Sequence, residues 1–502
     1  MVKKVFEIVK RDFGGKSFGA AMLVLLLVGI FLRVFHLGGW LQFGGDEARD
    51  VEVIQTAWKS WSPIWLGPSS SIGNFSLGPF FYYLLAPAVI LSNFHPVAGA
   101  WVVVGFGILT LPLIYLMGRR LWDETAGFIA MGLYAVSGLI VAYTRWSWNP
   151  NLLPFFLLLF LLALWVVVHG RDARARQWAL ITAAVAFGIG IQLHASTLFT
   201  LPIIALGFLL WERPRNIPWL WWAYAAVMIL ILHAPLIVFE LRHGFENTQG
   251  LLTIFNSQDP RGAWMTSVIA TLQRLWVLTV EIVEFPKQWS ILVSLLLVSG
   301  LFGMGMSWRR HLLSDAQRTA CRLLIIWLGS FLLVAFFRVG PIFSHFVAMI
   351  FPIPFLLIGI TGSILSRKAS AYVLFLLCLG LLTFSNVFYQ IQRFAVLEHG
   401  GDRTQAFHDV TLKEQTALVD ELAVLGQDKD LLVEIMKEPI YGRSLRFLYA
   451  RRTGRRLQNA SGENSALLIC VPTESCIADG RMRNRRLLYR SGNTTLWSPK
   501  MD

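Results

Sequence analysis

Charge is what this sequence has least of. Of its 502 residues only 15% are Asp, Glu, Lys or Arg, against roughly 25% in a soluble globular chain. Together with 55% hydrophobic residues and a mean hydropathy of +0.58, that scarcity excludes an ordinary soluble domain. Cysteine is also scarce, with four in the whole chain, so the fold is not a disulfide scaffold. Cys321 and Cys378 fall in or beside apolar segments and read as packing residues. Cys470 and Cys476, six apart in a polar tail, lack the further ligands of a zinc site; whether they close a small disulfide loop stays open. No Walker-type phosphate loop, H-E-x-x-H helix or nucleophile elbow is present. Internal repeats and low-complexity tracts are absent as well. The first apolar run is too long for a cleavable signal and has no small-residue cleavage site after it.

What is there is a succession of apolar runs of about 20 residues over the first ~390 positions, each long enough to cross a bilayer. The 20 Trp and 36 Phe suit interfacial belts and lipid-facing packing. The net charge of +14 would suggest nucleic acid in a soluble protein. Here the cations gather instead in short loops, as the positive-inside rule requires of loops kept in the cytoplasm. Eleven spans alternate on that rule, at about 18–36, 97–117, 125–143, 152–169, 178–192, 196–211, 218–239, 290–307, 320–337, 346–364 and 370–389. The segment from Pro79 to Phe94 is short and interrupted by Pro87. It is expected to lie in the interface without crossing, because crossing would put Arg119, Arg120 and the Arg171–Arg176 cluster outside. From about 393 charge rises and apolar runs shorten. Gln415–Leu425 reads as a helix and Leu431–Ile435, Ala466–Val471, Arg486–Tyr489 and Thr494–Trp497 as strands. Residues 1–392 are therefore expected to form a transmembrane domain and 393–502 a small soluble α/β domain on the outer face.

The stretch Gly44-Gly45-Asp46-Glu47-Ala48-Arg49-Asp50 follows the first span and opens an amphipathic helix. At about 100° per residue Asp46, Arg49 and Asp50 share one side, and Glu47 turns towards the apolar side with Val51 and Ile54. Adjacent carboxylates at a membrane edge are costly unless solvated or used. Other polar residues sit at outer span ends: Arg145, Asn149 and Asn151; Gln192 and His194; Arg242 and His243; Arg338, Ser344 and His345. If these ends converge, a carboxylate can take a proton from an attacking hydroxyl or amine. Arginines and a histidine can hold a phosphate leaving group by charge-assisted hydrogen bonds. The blander readings are that Asp46 caps a helix, that Arg145 and Arg338 anchor at head-group level, that His194 is a packed interfacial histidine, and that Arg242 belongs to a solvated loop.

These residues also carry a resemblance. Gly45-Asp46-Glu47-Ala48-Arg49, Leu77-Gly78-Pro79-Phe80-Phe81-Tyr82-Tyr83-Leu84-Leu85-Ala86-Pro87, Gly118-Arg119-Arg120-Leu121-Trp122 and Tyr143-Thr144-Arg145-Trp146-Ser147-Trp148-Asn149-Pro150-Asn151 occur in this order over roughly residues 15–240. In them the chain resembles the polytopic GT-C glycosyltransferases, and within these the protein O-mannosyltransferase-like group (glycosyltransferase family 39), which includes aminoarabinose transferases. The resemblance implies a polytopic α-helical membrane protein of GT-C fold, with about 11 transmembrane helices, N-terminus inside and C-terminus outside, and a small C-terminal α/β extracytoplasmic domain. It implies an inverting glycosyltransferase in the cytoplasmic membrane that moves a sugar from a polyprenyl-phosphate donor to a lipid, glycan or protein acceptor. By position Asp46 would be the general base, Glu47 its neighbour in the motif, and Arg49 would lie near the lipid phosphate.

Arg145, Arg338 and His345 are the further candidates for the donor phosphate, and Asn149, Asn151, His194 and Arg242 for substrate. No metal ligands are assigned and no cofactor is certain, though a divalent metal stays open. Asn149 and Asn151 stand where relatives often carry an Asp, and Leu77-Gly78-Pro79 lacks the His or Lys that many carry before the proline. The rival classes are a secondary transporter, which the missing internal symmetry and the absence of mid-span carboxylates oppose, a glycan ligase and a non-catalytic scaffold.

Overall fold

In the computed structural model, residues 16–498 are described apart from 71–73, 216, 257–263, 285–287, 337–341, 400–409, 427–430, 436–440, 460–466, 471–484 and 492–493. The chain enters through α1 (Lys16–Val34), then α2 (Gly45–Lys59), α3 (Phe80–Leu91), α4 (Ala98–Leu121), α5 (Glu124–Val136) and α6 (Gly138–Thr144). It continues through α7 (Leu153–His169), α8 (Ala173–Gly190), α9 (Thr197–Glu212) and α10 (Trp219–Arg242). α11 (Glu246–Asn256) and α12 (Trp264–Val283) occupy what the sequence suggests is a long outer loop. The apolar part ends with α13 (Ser290–Arg309), α14 (Asp315–Phe336), α15 (Pro352–Leu365) and α16 (Ala369–His399).

Among the described residues six helices are long and apolar enough to cross a membrane, or up to eight if each of two bent pairs is one span. That is fewer than the eleven expected. Among the expected spans outside that set, Thr197–Glu212 is apolar but only 16 residues long, and α8 opens on Arg174, Arg176 and Gln177, which leaves too short an apolar stretch. α3 has 12 residues, so at 1.5 Å per residue it reaches only about 18 Å of a hydrocarbon core about 30 Å thick.

The expected third and tenth spans are not straight. α5 and α6 meet at 66°, and a 3₁₀ segment, Ser344–Ile350, meets α15 at 49°. Pro352 and Pro354 at the start of α15 explain the second break. At the first, Ser137 ends one helix and starts the next, and the break frees backbone groups in an apolar setting, where each unsatisfied one costs several kcal/mol. The fold supplies partners from three distant helices. Arg33, fully buried on α1, donates to Ala135 O at 2.9 Å and Tyr134 O at 3.4 Å. Asn386 of α16 accepts from Gly138 N at 2.8 Å, and Gln390 donates to Gly138 O at 3.0 Å. Ser137 itself donates to Ile282 O of α12 at 2.6 Å.

Residues 410–498 form a mixed sheet with two helices. α17 (Leu412–Leu425) and α18 (Arg443–Thr453) accompany β1 (Leu432–Ile435), β2 (Gln458–Asn459), β3 (Leu467–Cys470), β4 (Leu487–Ser491) and β5 (Thr494–Trp497). The strand order is β2-β1-β3-β5-β4, parallel from β2 to β3 and antiparallel beyond. α18 and the two-residue β2 are absent from the sequence reading, because the run after Gly442 is rich in arginine and shows little apolar periodicity. Cys470 is disulfide-bonded, and Cys476 lies outside the described residues.

This unit is seated on α2. Leu412 N donates to Leu41 O at 2.6 Å and Gln415 Nε2 to Phe43 O at 2.9 Å. Phe43 packs on Phe447 of α18 at 5.7 Å between ring centroids, and Arg443 pairs with Glu52 at 2.7 Å.

Between α2 and α3 the chain doubles back. Gly67 N donates to Leu77 O at 2.7 Å and Leu77 N to Pro68 O at 3.0 Å. A Cβ on Gly67 would collide with the backbone of Gly78, and one on Gly78 with the side chain of Gln192. The glycines are there because two backbone segments and a glutamine meet with no room for a methyl group. Gly67→Ala should therefore lower the thermal transition by a few degrees, equivalent to about 1–3 kcal/mol of overpacking. It should also raise proteolysis between residues 60 and 80. Gly39→Ala, where a Cβ meets nothing within 4 Å, is the control that should change neither.

Candidate active site

α2 is capped by Gly44, whose N–H donates to Glu47 Oε2 at 3.1 Å. Asp46 and Glu47 both lie in the first turn, where carboxylates complement the partial positive charge of the exposed amides. The two then separate. Glu47 is buried against the body of the protein, and burial holds its carboxyl well above the usual range. Asp46 keeps 48% of its side chain exposed.

Arg49 links the rest. Its Nη1 donates to Asp46 Oδ1 at 2.7 Å, and its Nε and Nη2 donate to Asp50 Oδ1 at 2.9 and 2.7 Å. The Asp46–Arg49 pair is the i,i+3 contact expected on one helix face. The Arg49–Asp50 clamp joins chain neighbours, and it works because the guanidinium fork reaches back over its own helix turn. Asp50 is 1% exposed and Arg49 23%. Burial pushes Asp50 up to about 7, against the opposing pull of Arg49 and with a further push from Asp46.

Asp46 and Arg49 open into a cavity of about 240 Å³. The doubled loop between α2 and α3 forms one wall, with Ser69 and Ser70. Trp148 and Asn149, from the segment that follows the broken α5–α6 span, form another. His194, between α8 and α9, and His345, in the 3₁₀ segment before α15, close it. Asn149 Nδ2 donates to Leu193 O at 2.5 Å, tying that segment to the turn that carries His194. His194 Nδ1 accepts from the Ser196 backbone N–H at 3.2 Å and lies 2.7 Å from Ser196 Oγ, so in the neutral ring Nε2 carries the proton. The His194 and His345 rings lie 5.8 Å apart, and Trp148 packs edge-on against His345 at 4.7 Å.

Of the residues read from the sequence, the structure thus brings Asp46, Arg49, Asn149, His194 and His345 to one cavity. Glu47 does not line it. Arg145 does not either: it is buried, and its Nη1 donates to Leu32 O and Arg33 O, both at 3.1 Å, the closing carbonyls of α1. Its guanidinium also lies over Phe394 at 5.3 Å. In the structure Arg145 caps the end of α1, which ends inside the protein and leaves orphan carbonyls. Asn151 Nδ2 donates to Trp146 O at 2.9 Å and closes its own turn. Arg242 lies over Trp65 at 5.2 Å, off the cavity. Arg338 lies outside the described residues. Asp50, which the helical period already places beside Asp46 and Arg49, is the buried partner that clamps the arginine. Ser196 is absent from the sequence reading, because no local signal marks a side chain that acts through His194. Among the described residues no group of three or more His, Cys, Asp or Glu side chains is placed to hold a metal.

With this geometry established, known proteins can be compared. Residues 76–239 match the family described as dolichyl-phosphate-mannose-protein mannosyltransferase. Those residues are a domain of that family. The chain is similar to undecaprenyl phosphate-alpha-4-amino-4-deoxy-L-arabinose arabinosyl transferase 2 of Pseudomonas fluorescens, 33% identical over 205 residues, covering 39% of this chain and 33% of the relative. The corresponding Pseudomonas aeruginosa transferase is 30% identical over 200 residues, 38% of this chain and 35% of the relative. The matched stretch thus spans about a third of the length of these curated relatives.

Across nearly the whole chain the fold is similar to ArnT from Cupriavidus metallidurans, with TM-score 0.56 at 13% identity, covering 96% of this chain and 98% of that one. It is also similar to the Archaeoglobus fulgidus oligosaccharyltransferase, with TM-score 0.57 at 13% identity, covering 95% and 73%. The fold is that of the GT-C glycosyltransferases, and the chain is a multi-pass membrane protein. The family domain begins at the doubled loop and takes in the Trp148, Asn149 and His194 walls of the cavity. Asp46 and Arg49 precede it.

Asp50 gives this site a pH signature. Its folded pKa of about 7 lies above the unfolded value near 3.9, so between those limits the native state binds more protons. The stabilisation it contributes is complete below about pH 4 and is lost as the pH rises through 7. Glu47 acts with the same sign. Asp50→Asn should flatten, without abolishing, the fall in thermal stability between pH 5 and 8. An unchanged slope in thermal unfolding across that range would contradict the burial argument.

Proposed function

We propose that the chain is an inverting glycosyltransferase that moves a sugar from a polyprenyl-phosphate donor to an acceptor at the outer face of the cytoplasmic membrane, with Asp46 as general base. The observation that carries this reading is the half-exposed Asp46 carboxylate opening, beside a clamped arginine and two imidazoles, into one cavity. The names of the relatives support it: the similar Pseudomonas proteins are transferases of an undecaprenyl-phosphate-linked aminosugar, and the Cupriavidus ArnT has been solved bound to undecaprenyl phosphate at TM-score 0.53.

In this mechanism an acceptor hydroxyl or amine attacks the anomeric carbon from the side opposite the phosphate. Its proton passes to the Asp46 carboxylate as the new bond forms. The bond from the anomeric carbon to the phosphate oxygen breaks, and its electron pair leaves with the lipid phosphate. Arg49 and the Nε2–H of His194 are the donors near that developing charge, and His345 is a third. Asp50 positions Arg49 by holding two of its three nitrogens from beneath. Asn149 and Trp148 shape the wall on which the sugar rests. Asn151 and Arg242 would contribute only indirectly, and Arg145 by holding the end of α1.

Purified protein in lipid should turn over a polyprenyl-phosphate sugar, and Asp46→Asn should lower kcat by about 10²–10⁴-fold with little change in the thermal transition. Full activity in that variant would sink the base assignment. The membrane placement proposed is eleven spans with the N-terminus inside and residues 393–502 outside as a separate soluble domain. A reporter fused after Lys368 should then read cytoplasmic and one after Asp502 outside, and the reverse pattern would move the cavity to the other face.

A further inference from the structure

A second cavity, of about 590 Å³, lies on the other side of α2. Glu52, Gln55 and Lys59 of α2 form one wall, and Arg446 and Arg451 of α18, with Arg456 just beyond it, form the other. At about 100° per residue Gln55 lies about 180° round the helix from Asp46, so α2 itself separates this cavity from the candidate active site.

Four of its lining side chains are cations: Lys59, Arg446, Arg451 and Arg456. The one lining carboxylate, Glu52, is engaged by Arg443 at 2.7 Å. The floor is apolar, with Phe447 buried beneath the arginines. A concave surface carrying this excess of one sign focuses a positive potential and favours an anion within it. Arginine forks in particular match the oxygens of a phosphate.

The position of the cavity narrows the class of anion. Arg451 Nη1 donates to Asn93 O at 2.7 Å and Phe94 O at 3.1 Å, the turn by which the chain leaves α3 and enters the membrane helix α4. Around that level apolar side chains stand exposed. Leu91 is 87% exposed and Trp101 46%, while Trp58 and Trp61, at 46% and 85%, stack on one another at 5.5 Å. Exposed tryptophans beside the end of a span mark the membrane–water interface. The cations therefore sit at head-group height, above a surface suited to acyl chains.

We propose that this cavity binds the phosphate head group of an anionic membrane lipid, held by Lys59, Arg446 and Arg456. A lipid there would tie α2, and so the first turn that carries Asp46, to the C-terminal sheet domain alongside the Arg443–Glu52 pair. The proposal does not depend on the transfer reaction.

The test uses the full chain in detergent, with retained lipid counted by native mass spectrometry. The probes are phosphatidic acid, phosphatidylcholine of the same chain length, and inorganic phosphate. Phosphatidic acid should bind at least about tenfold more tightly than phosphatidylcholine and weaken steeply with salt. The double variant Arg446→Glu/Arg456→Glu should lose about tenfold or more of that affinity. Lys59→Glu, on the opposite and solvent-exposed wall, should do the same even if the double variant fails to fold. Unchanged retention in Lys59→Glu, or phosphatidylcholine binding as well as phosphatidic acid, would overturn the proposal. Complete displacement by millimolar inorganic phosphate would overturn the lipid as the source and leave a site for free phosphate.

Discussion

The constraint on which the rest of the site depends is the sharing of one guanidinium between two carboxylates in unlike surroundings. Arg49 bridges Asp46, half in solvent, and Asp50, almost wholly buried. A buried carboxylate without that partner would be destabilising by roughly 3–5 kcal/mol, so Asp50 commits the arginine to one orientation. Asp46 is then presented at the cavity edge and does not collapse onto the helix. Glu47, one residue on, is turned inward to the Gly44 amide. Adjacent carboxylates thus acquire different environments from a rotation of about 100°.

That clamp is only as rigid as the elements around it, and these are fixed largely by broken helices. A bilayer interior tolerates irregular backbone only where the protein satisfies it. The break at Ser137 is satisfied by Arg33, Asn386, Gln390 and the Ile282 carbonyl, and the end of α1 by Arg145. These polar contacts bring α1, α6, α12 and α16 to one depth. The segment after α6 then delivers Trp148 and Asn149 to the cavity, and the second break, before α15, delivers His345. From the other side the C-terminal domain holds the chain just before α2 through Leu412 and Gln415. Arg33 and Arg145, both buried in the apolar part, serve backbone carbonyls here. This shows why an arginine at a span end is weak evidence for ligand binding taken alone.

Much of this architecture was legible in the chain. Apolar runs marked the membrane helices, and the short run interrupted by Pro87 reads as too short to cross; the structure forms a 12-residue helix there, Phe80–Leu91. The helical period placed Asp46, Arg49 and Asp50 together and Glu47 apart. The ordered motifs from Gly45 to Asn151 pointed to the GT-C fold. The breaks at Ser137 and Phe351 were less visible, since a single serine inside an apolar run carries little local signal. α18 was hidden because its arginines serve contacts with α2 and α3 and not a core stripe.

By itself the sequence determined the class, the approximate helices and the helix face on which the acidic cluster lies. These follow from local periodicity and from what a bilayer excludes. Only the tertiary structure decided which polar residues meet. Asn149, His194 and His345 share a cavity with Asp46 because two spans break and their ends converge. Arg145, equally plausible from its place in the chain, is drawn away to the orphan carbonyls of a helix more than a hundred residues before it. The physical reason is that a hydrogen-bonding group in an apolar interior takes the nearest unsatisfied partner in space, and distance in space is not written in any one segment of the chain.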